Sequence, residues 1–255
     1  MLVSDPWFYA VAIPAILMVG ISKGGLGGGL GLIGTPMIAL VVSPVRAAAI
    51  LLPILCLMDL FGLRAYRGQW SHRNMRILLP AATIGIMVGT LTFRHLDENW
   101  IRLLIGALAL GFSLRYWLAS AVDQAAVPPN LLRGSLWGSI SGFTSFVAHA
   151  GGPPLSVYLL PQRLDKTVFV GTTVVFYFAV NYIKLLPYSW LGQLSSENLA
   201  TSALLSPLAP LGMWLGIRLH RHIPQEPFYQ VCYALLIVAG LKLIYDGVGG
   251  LLGAP

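Results

Sequence analysis

The sequence predicts an all-α polytopic membrane protein built from two inverted-topology repeats, each a broken helical hairpin followed by three transmembrane helices. Three observations predict it. The chain is too apolar for water: of 255 residues, 56% are hydrophobic and 10% charged, with a mean hydropathy of +0.76, whereas a soluble domain carries about a quarter charged residues. Its apolar segments match the roughly 20 residues that a helical crossing needs. The same residue types also recur at fixed offsets. Pro80, Gly85, Gly89, Arg94 and His95 reappear as Pro207, Gly212, Gly216, Arg221 and His222, 127 positions later. Gly68-Gln69-x-Ser71-x-x-Asn74 reappears as Gly192-Gln193-x-Ser195-x-x-Asn198, and Gly27-Gly28 as Gly151-Gly152, 124 positions later.

Repeat one covers residues 1–125, with a hairpin over 6–43 and spans at 45–63, 77–93 and 100–118. Repeat two covers 126–255, with a hairpin over 132–161 and spans at 167–187, 199–217 and 227–246. The hairpins are assigned because their halves are short for a crossing and are separated by helix-breaking residues. Segments 6–21 and 30–43 flank the run from Lys23 to Gly29; segments 132–147 and 153–161 flank Ala148-His149-Ala150-Gly151-Gly152. The first apolar run lacks the basic start of a cleaved leader, since Ser4 and Asp5 precede it and the first cation is Lys23, so it reads as a retained span.

Basic residues near span ends set the sides. The loop around 64–76 holds Arg64, Arg67, Arg73 and Arg76 and no acid, which makes it cytoplasmic, and counting spans brings Arg115, Arg133, Arg163, Lys166, Arg218 and Arg221 to the same face. Its counterpart in repeat two, 188–198, has Glu197 and neither Lys nor Arg. One hairpin plus three crossings is an odd number, so the second half starts from the opposite face. Two parallel repeats with an accidental charge difference are the alternative.

Duplicated halves with a glycine break in each are a pattern of secondary transporters. Irregular backbone inside the bilayer must be buried or line a cavity. A half-helix beginning there presents free N–H groups and the positive end of its dipole, which together attract an anion. The candidate anion contacts are therefore Gly24, Gly27, Gly28 and Gly29 at the first tip and Gly151, Gly152 and Pro153 at the second; proline suits a first helical turn because its missing N–H has no partner there. Lys23 either adds a cation to this site or snorkels to a headgroup. His149 at the second tip either titrates near neutral pH or packs as a neutral, hydrogen-bonded ring. Asp59 and Lys184 occupy nearly corresponding places, 125 residues apart. They are candidates for coupling or gating, by pairing with each other or by Asp59 carrying a proton, unless both lie solvated at an interface. Asn181, one turn before Lys184, is a candidate donor to the ligand. An aromatic set, Phe143, Phe146, Tyr158, Phe169, Phe176, Tyr177, Phe178 and Tyr182, gathers around the second hairpin only. It reads as core or lipid-facing residues, a few of them walling a site for an organic tail.

Other signals carry less. The net charge of +7 follows from basic cytoplasmic loops, and with no contiguous soluble basic surface nucleic-acid binding is excluded as a function class. Cys56 and Cys232 lie in apolar runs without a CxxC or Cys/His cluster and read as inert. Gly29-x-Gly31-x-x-Gly34 has no preceding strand and no acid at the right distance, so it is no dinucleotide site. The small-residue series at Gly85/Gly89, Gly212/Gly216 and Gly134/Gly138/Gly142 are close-packing ridges. His220-Arg221-His222 reads as a cytoplasmic cap. No metal, cofactor or hydrolytic constellation is expected, so the chain does not read as an enzyme.

Ser22-Lys23-Gly24-Gly25-Leu26-Gly27-Gly28-Gly29, the stretch Ala47-Ala48-Ala49-Ile50-Leu51-Leu52-Pro53, and Ala148-His149-Ala150-Gly151-Gly152-Pro153-Pro154 resemble the sulfite exporter TauE/SafE family of membrane transporters. The resemblance spans nearly the whole chain. It implies secondary transport of a small sulfur-containing anion such as sulfite, sulfoacetate or another organosulfonate, across a bacterial inner membrane. The His-Ala-Gly-Gly-Pro-Pro form is similar to the branch that includes toluenesulfonate uptake permeases. The expectation is uptake of a sulfonate by alternating access with proton coupling. The alternatives are a sulfite or sulfoacetate exporter, an anion channel, or a membrane accessory subunit. A homodimer is compatible with the sequence.

Overall fold

The structure, a computed structural model, describes residues 3, 5–25, 34–93, 97–118, 127–219 and 225–252. Among them are eleven α-helices and no strand: α1 (Pro6–Gly25), α2 (Gly34–Ile38), α3 (Pro44–Ala65), α4 (His72–Phe93), α5 (Glu98–Leu118), α6 (Leu131–Ala148), α7 (Gly152–Leu159), α8 (Lys166–Trp190), α9 (Ser196–Leu205), α10 (Leu208–Leu219) and α11 (Gln225–Leu251). Helices α1, α3, α4 and α8 are long and apolar enough to cross a bilayer, and the bent pair α9–α10 makes a fifth crossing if taken as one. The predicted Gly27, Gly28 and Gly29, the segment 30–33 and the His220-Arg221-His222 cluster lie outside the described residues.

Local chemistry sets the helix starts. The Ser43 hydroxyl accepts from the Arg46 N–H ahead of α3, where Pro44 fills the first turn. Asn130 accepts from the Arg133 N–H ahead of α6 (2.9 Å), and Asp165 from the Thr167 and Val168 N–H groups ahead of α8 (2.8 and 3.3 Å). The duplicated Gly-Gln-x-Ser-x-x-Asn motif makes the same structure twice. Gly68 (φ +76°) and Gly192 (φ +72°) turn the chain in the left-handed region that glycine tolerates. Three residues on, Ser71 and Ser195 each accept from the N–H of the following asparagine at 3.3 Å and start α4 and α9.

Packing exchanges partners between the halves. Along α1 and α10, Gly20 meets Gly212 and Gly24 meets Gly216, so the two helices run the same way. Along α4 and α6 the contacts are Ile77 with Gly134, Ala81 with Gly138, Ala82 with Gly142 and Gly89 with Phe146, again in step. Helices α3 and α8 run oppositely: Tyr66 packs on Val170, Gly62 on Val174, and Asp59 touches Asn181. The loop after α3 meets the start of α8 where the Ser71 N–H donates to Thr172 Oγ1 (2.9 Å); beyond the end of α8, Glu197 pairs with Arg46 at the start of α3 (2.7 Å). Helices α5 and α11 are also opposed, with Asn99 against Gly250 and Gly106 against Gly240.

Both hairpins double back. Gly34 of α2 returns to the level of Val19, and α7 retraces α6, with Gly151 against Ser141 and Ser145 and Tyr158 against Gly134. Two expectations need correction. Helix α1 does not stop at residue 21 but runs through Lys23 and Gly24 to Gly25. Glycine in a helix costs about 1 kcal/mol, but here a Cβ on Gly24 would come within 2.6 Å of the Met213 carbonyl. Close approach to α10 thus supports the glycines inside the helix. The predicted span 199–217 is broken into α9 and α10, bent by 44°. Pro207 and Pro210 fall three residues apart, and each removes a helical N–H; the single Pro80 in the matching helix α4 leaves it continuous.

The glycine contacts give a direct test. A Cβ on Gly142 would collide with the Ala82 carbonyl, whereas one on Gly111 would meet nothing within 4 Å. Gly142→Ala should lower the melting temperature of the detergent-purified protein, by an overpacking cost of about 1–3 kcal/mol, and Gly111→Ala should leave it unchanged or raise it.

Candidate functional site

The polar interior lies where both hairpin tips meet the crossing of α3 and α8. Helix α8 contributes one face at helical spacing, Tyr177, Asn181, Lys184 and Tyr188, all buried. From α3 comes Asp59, from α1 Lys23, and from the end of α6 Ser141, Ser145 and His149, again all buried. Ionised groups so placed cost several kcal/mol each in desolvation, and ions at membrane depth are by default functional.

The interactions form two linked groups. In the first, Lys23 Nζ pairs with Asp59 Oδ1 at 2.5 Å, and Asn181 Nδ2 donates to Asp59 Oδ2 at 2.6 Å. Lys23 also lies over the Tyr177 ring, 5.5 Å from its centroid, within the range of a cation–π attraction. In the second, Lys184 Nζ donates to the Ser145 carbonyl (2.9 Å) and hydroxyl (3.1 Å) and contacts His149 Nδ1 at 2.8 Å. His149 Nε2 is 2.8 Å from the Ala48 carbonyl of α3. A carbonyl only accepts, so Nε2 carries the ring proton and Nδ1 accepts from the ammonium. These contacts make His149 a neutral hydrogen-bonded anchor for the second tip. They also hold it at φ 52°, a left-handed conformation that costs a non-glycine residue about 1–2 kcal/mol.

The helix ends at the tips are largely satisfied by side chains. Tyr188 donates to the Phe146 carbonyl and Tyr66 to the Gly24 carbonyl, both at 2.6 Å. Ser141 donates to the Gly151 carbonyl at 2.7 Å. At the start of α7, Pro153 and Pro154 have no N–H to offer, the Leu155 N–H donates to the Gly151 carbonyl, and the Gly151 and Gly152 N–H groups donate to no described residue. Two buried hydroxyls, Thr35 Oγ1 and Tyr177 Oη, likewise have no partner among the described residues.

Several predicted site residues thus come together: Lys23, Asp59, His149, Gly151, Asn181 and Lys184, with Gly152 and Pro153 opening α7. Their partners differ from those expected. Asp59 pairs with Lys23 and not with Lys184, because α1 delivers the Lys23 ammonium directly onto the carboxylate. Asn181 donates one of its two amide N–H groups to Asp59. Gly24 serves the contact with α10. Of the aromatic set, Phe146, Tyr158, Phe176 and Tyr177 are buried, and Tyr182 is 38% exposed. Ser141 and Ser145 went unnoticed in the sequence, where isolated serines in an apolar helix give no signal. Tyr177 carried one: it stands four residues before Asn181, on the face that includes Lys184.

Two lysines and one aspartate meet here among the described residues, and each partner of Lys184 is an uncharged group. With both amines ionised and Asp59 a carboxylate, the cluster would carry one positive charge in excess.

The family model described as sulfite exporter TauE/SafE matches residues 12–243. A protein of Comamonas testosteroni, named probable inner membrane transporter protein TsaS, is 28% identical over 71% of this chain and 75% of its own length. A Cupriavidus necator protein, named probable sulfite/organosulfonate exporter TauE, is 27% identical over 88% of this chain and 84% of its own length. No solved structure matches. The chain belongs to the sulfite exporter TauE/SafE family and is a multi-pass transporter protein of the inner membrane.

Proposed function

We propose that the chain is a secondary transporter that takes up a monoanionic organosulfonate by alternating access between two oppositely oriented halves. The buried charge excess carries the proposal. With Lys23 and Lys184 ionised, Asp59 and one sulfonate together balance the cluster, and a neutral closed site avoids the cost of an uncompensated buried charge. The sulfo group would take the remaining N–H groups of Lys23 and the amides of Gly151 and Gly152. Gly27, Gly28 and Gly29 are the corresponding donors of the first tip. Lys184, its contacts already spent on Ser145 and His149, would act through its field and by holding the second tip in shape.

Asp59 competes with the substrate for Lys23. A dianion balances the cluster only if Asp59 takes up a proton, and this is the route by which proton movement becomes coupled to transport. The inverted arrangement is supported by α3 and α8, which occupy equivalent places in the two repeats yet run in opposite directions. Export of sulfite or an organosulfonate is the second reading, and the name of the Cupriavidus necator relative favours it.

Four measurements test these points. A sulfonate that binds the folded protein should raise its melting temperature, so purified protein should be stabilised by p-toluenesulfonate, sulfoacetate or sulfite, and Lys23→Ala should abolish the shift. Stabilisation by none of them overturns the substrate assignment. In proteoliposomes, uptake against a gradient that a protonophore collapses separates a coupled transporter from a channel, and the direction of accumulation separates importer from exporter. Asp59→Asn should retain sulfonate binding, improve binding of dianions, and lose proton dependence. For orientation, single cysteines at Arg67 and Ser196, in a background without Cys56 and Cys232, should be labelled by an impermeant maleimide from opposite faces of the membrane.

A further inference from the structure

We infer that the Tyr177 hydroxyl is a direct contact of the transported anion, donating to one of its oxygens beside Lys23. The inference rests on the anion-transport reading above and adds a residue to its binding site. Tyr177 is 8% exposed, and its hydroxyl is fully buried without a hydrogen-bond partner among the described residues. Buried hydroxyls are nearly always paired, and one left unpaired is destabilising. A phenylalanine would fill the same space without that cost, so the oxygen needs another explanation.

Its surroundings supply one. The face of the ring lies under the Lys23 ammonium. The hydroxyl end approaches the Ser141 side chain without forming a well-aligned hydrogen bond; the Ser141 proton is committed to the Gly151 carbonyl, so Ser141 could only accept from the phenol. Tyr177 thus lies between the Lys23 ammonium, over its ring, and Ser141, which holds the Gly151 carbonyl of the second tip. A sulfonate is acceptor-only and has three oxygens to satisfy. The Lys23 ammonium, the Gly151 and Gly152 amides and the phenol are donors of the kind such a group requires, and a neutral phenol adds a hydrogen bond without altering the charge balance. The same position selects against ligands that must themselves donate there, since the phenolic proton would then need a different acceptor.

The test is Tyr177→Phe in the full-length, detergent-purified protein, with p-toluenesulfonate and sulfite as probes. Without ligand the variant should melt at or above the wild-type temperature, because an unpaired buried hydroxyl has been removed. Its affinity for the probes should fall by about tenfold or more, the usual weight of a hydrogen bond to a charged group. Affinity within twofold of wild type would overturn the inference. So would a drop in ligand-free melting temperature that Ser141→Ala reproduces and the double variant does not exceed, since Tyr177 would then be a structural partner of Ser141. Absence of any probe binding to the wild-type protein would remove the substrate reading itself, and this assignment with it.

Discussion

The interior of this protein depends on one constraint: in the absence of water, every ion and every exposed amide must find a partner inside the fold. The Lys23–Asp59 pair is its main expression. It joins the end of α1 to the middle of α3, and Asn181 ties the same carboxylate to α8. Replacing either partner alone would leave a buried charge uncompensated, at about 3–5 kcal/mol. Serines and tyrosines meet the same demand at the hairpin tips, taking up the carbonyls that the helix ends leave over. The groups without a partner among the described residues, the Gly151 and Gly152 amides and the hydroxyls of Tyr177 and Thr35, are therefore informative.

The small residues serve that constraint at one remove. Gly20, Gly24, Gly212 and Gly216 bring α1 against α10, and Gly85, Gly134, Gly138 and Gly142 bring α4 against α6. Each helix pair joins the hairpin of one half to the third long element of the other. The tips are thus held at the crossing of α3 and α8 by backbone contact, which has little freedom to adjust. Precise placement of Lys23 and His149 follows from this stiffness.

Much of this was legible in the sequence. Apolar length gave the long helices, and the repeated Gly-Gln-x-Ser-x-x-Asn motif gave two identical turns, because a left-handed glycine and a serine cap act locally. Lys23, Asp59, His149 and Lys184 stood out because ions are costly in an apolar chain. Their pairing was not legible, since it depends on which helices cross. Sequence correspondence suggested Asp59 with Lys184, whereas the approach of α1 selects Lys23. Gly24 reads as a ligand contact in the sequence, and the structure adds its close contact with α10, since the absence of a Cβ is valuable in either setting. Pro80 and Pro207 look equivalent by position, yet only Pro207, with Pro210 close behind, parts its helix. Tyr177 was visible merely as one aromatic among eight, because what distinguishes it is a missing partner.

The parting at Pro207 has a mechanical consequence. Its two arms have different main partners: α9 holds α3, through Arg46–Glu197 and the Ser202 hydroxyl on the Ile50 carbonyl at 2.7 Å, while α10 holds α1 through the glycine contacts and also touches α3 where Met213 meets Gly62. A change of angle at this elbow would carry α1 past α3 and slide Met213 over Gly62. Lys23 rides on α1 and Asp59 on α3, so such a swing would draw the ion pair apart like an opening clasp. The matching helix α4 is continuous through Pro80, so the elbow has no counterpart in the other half.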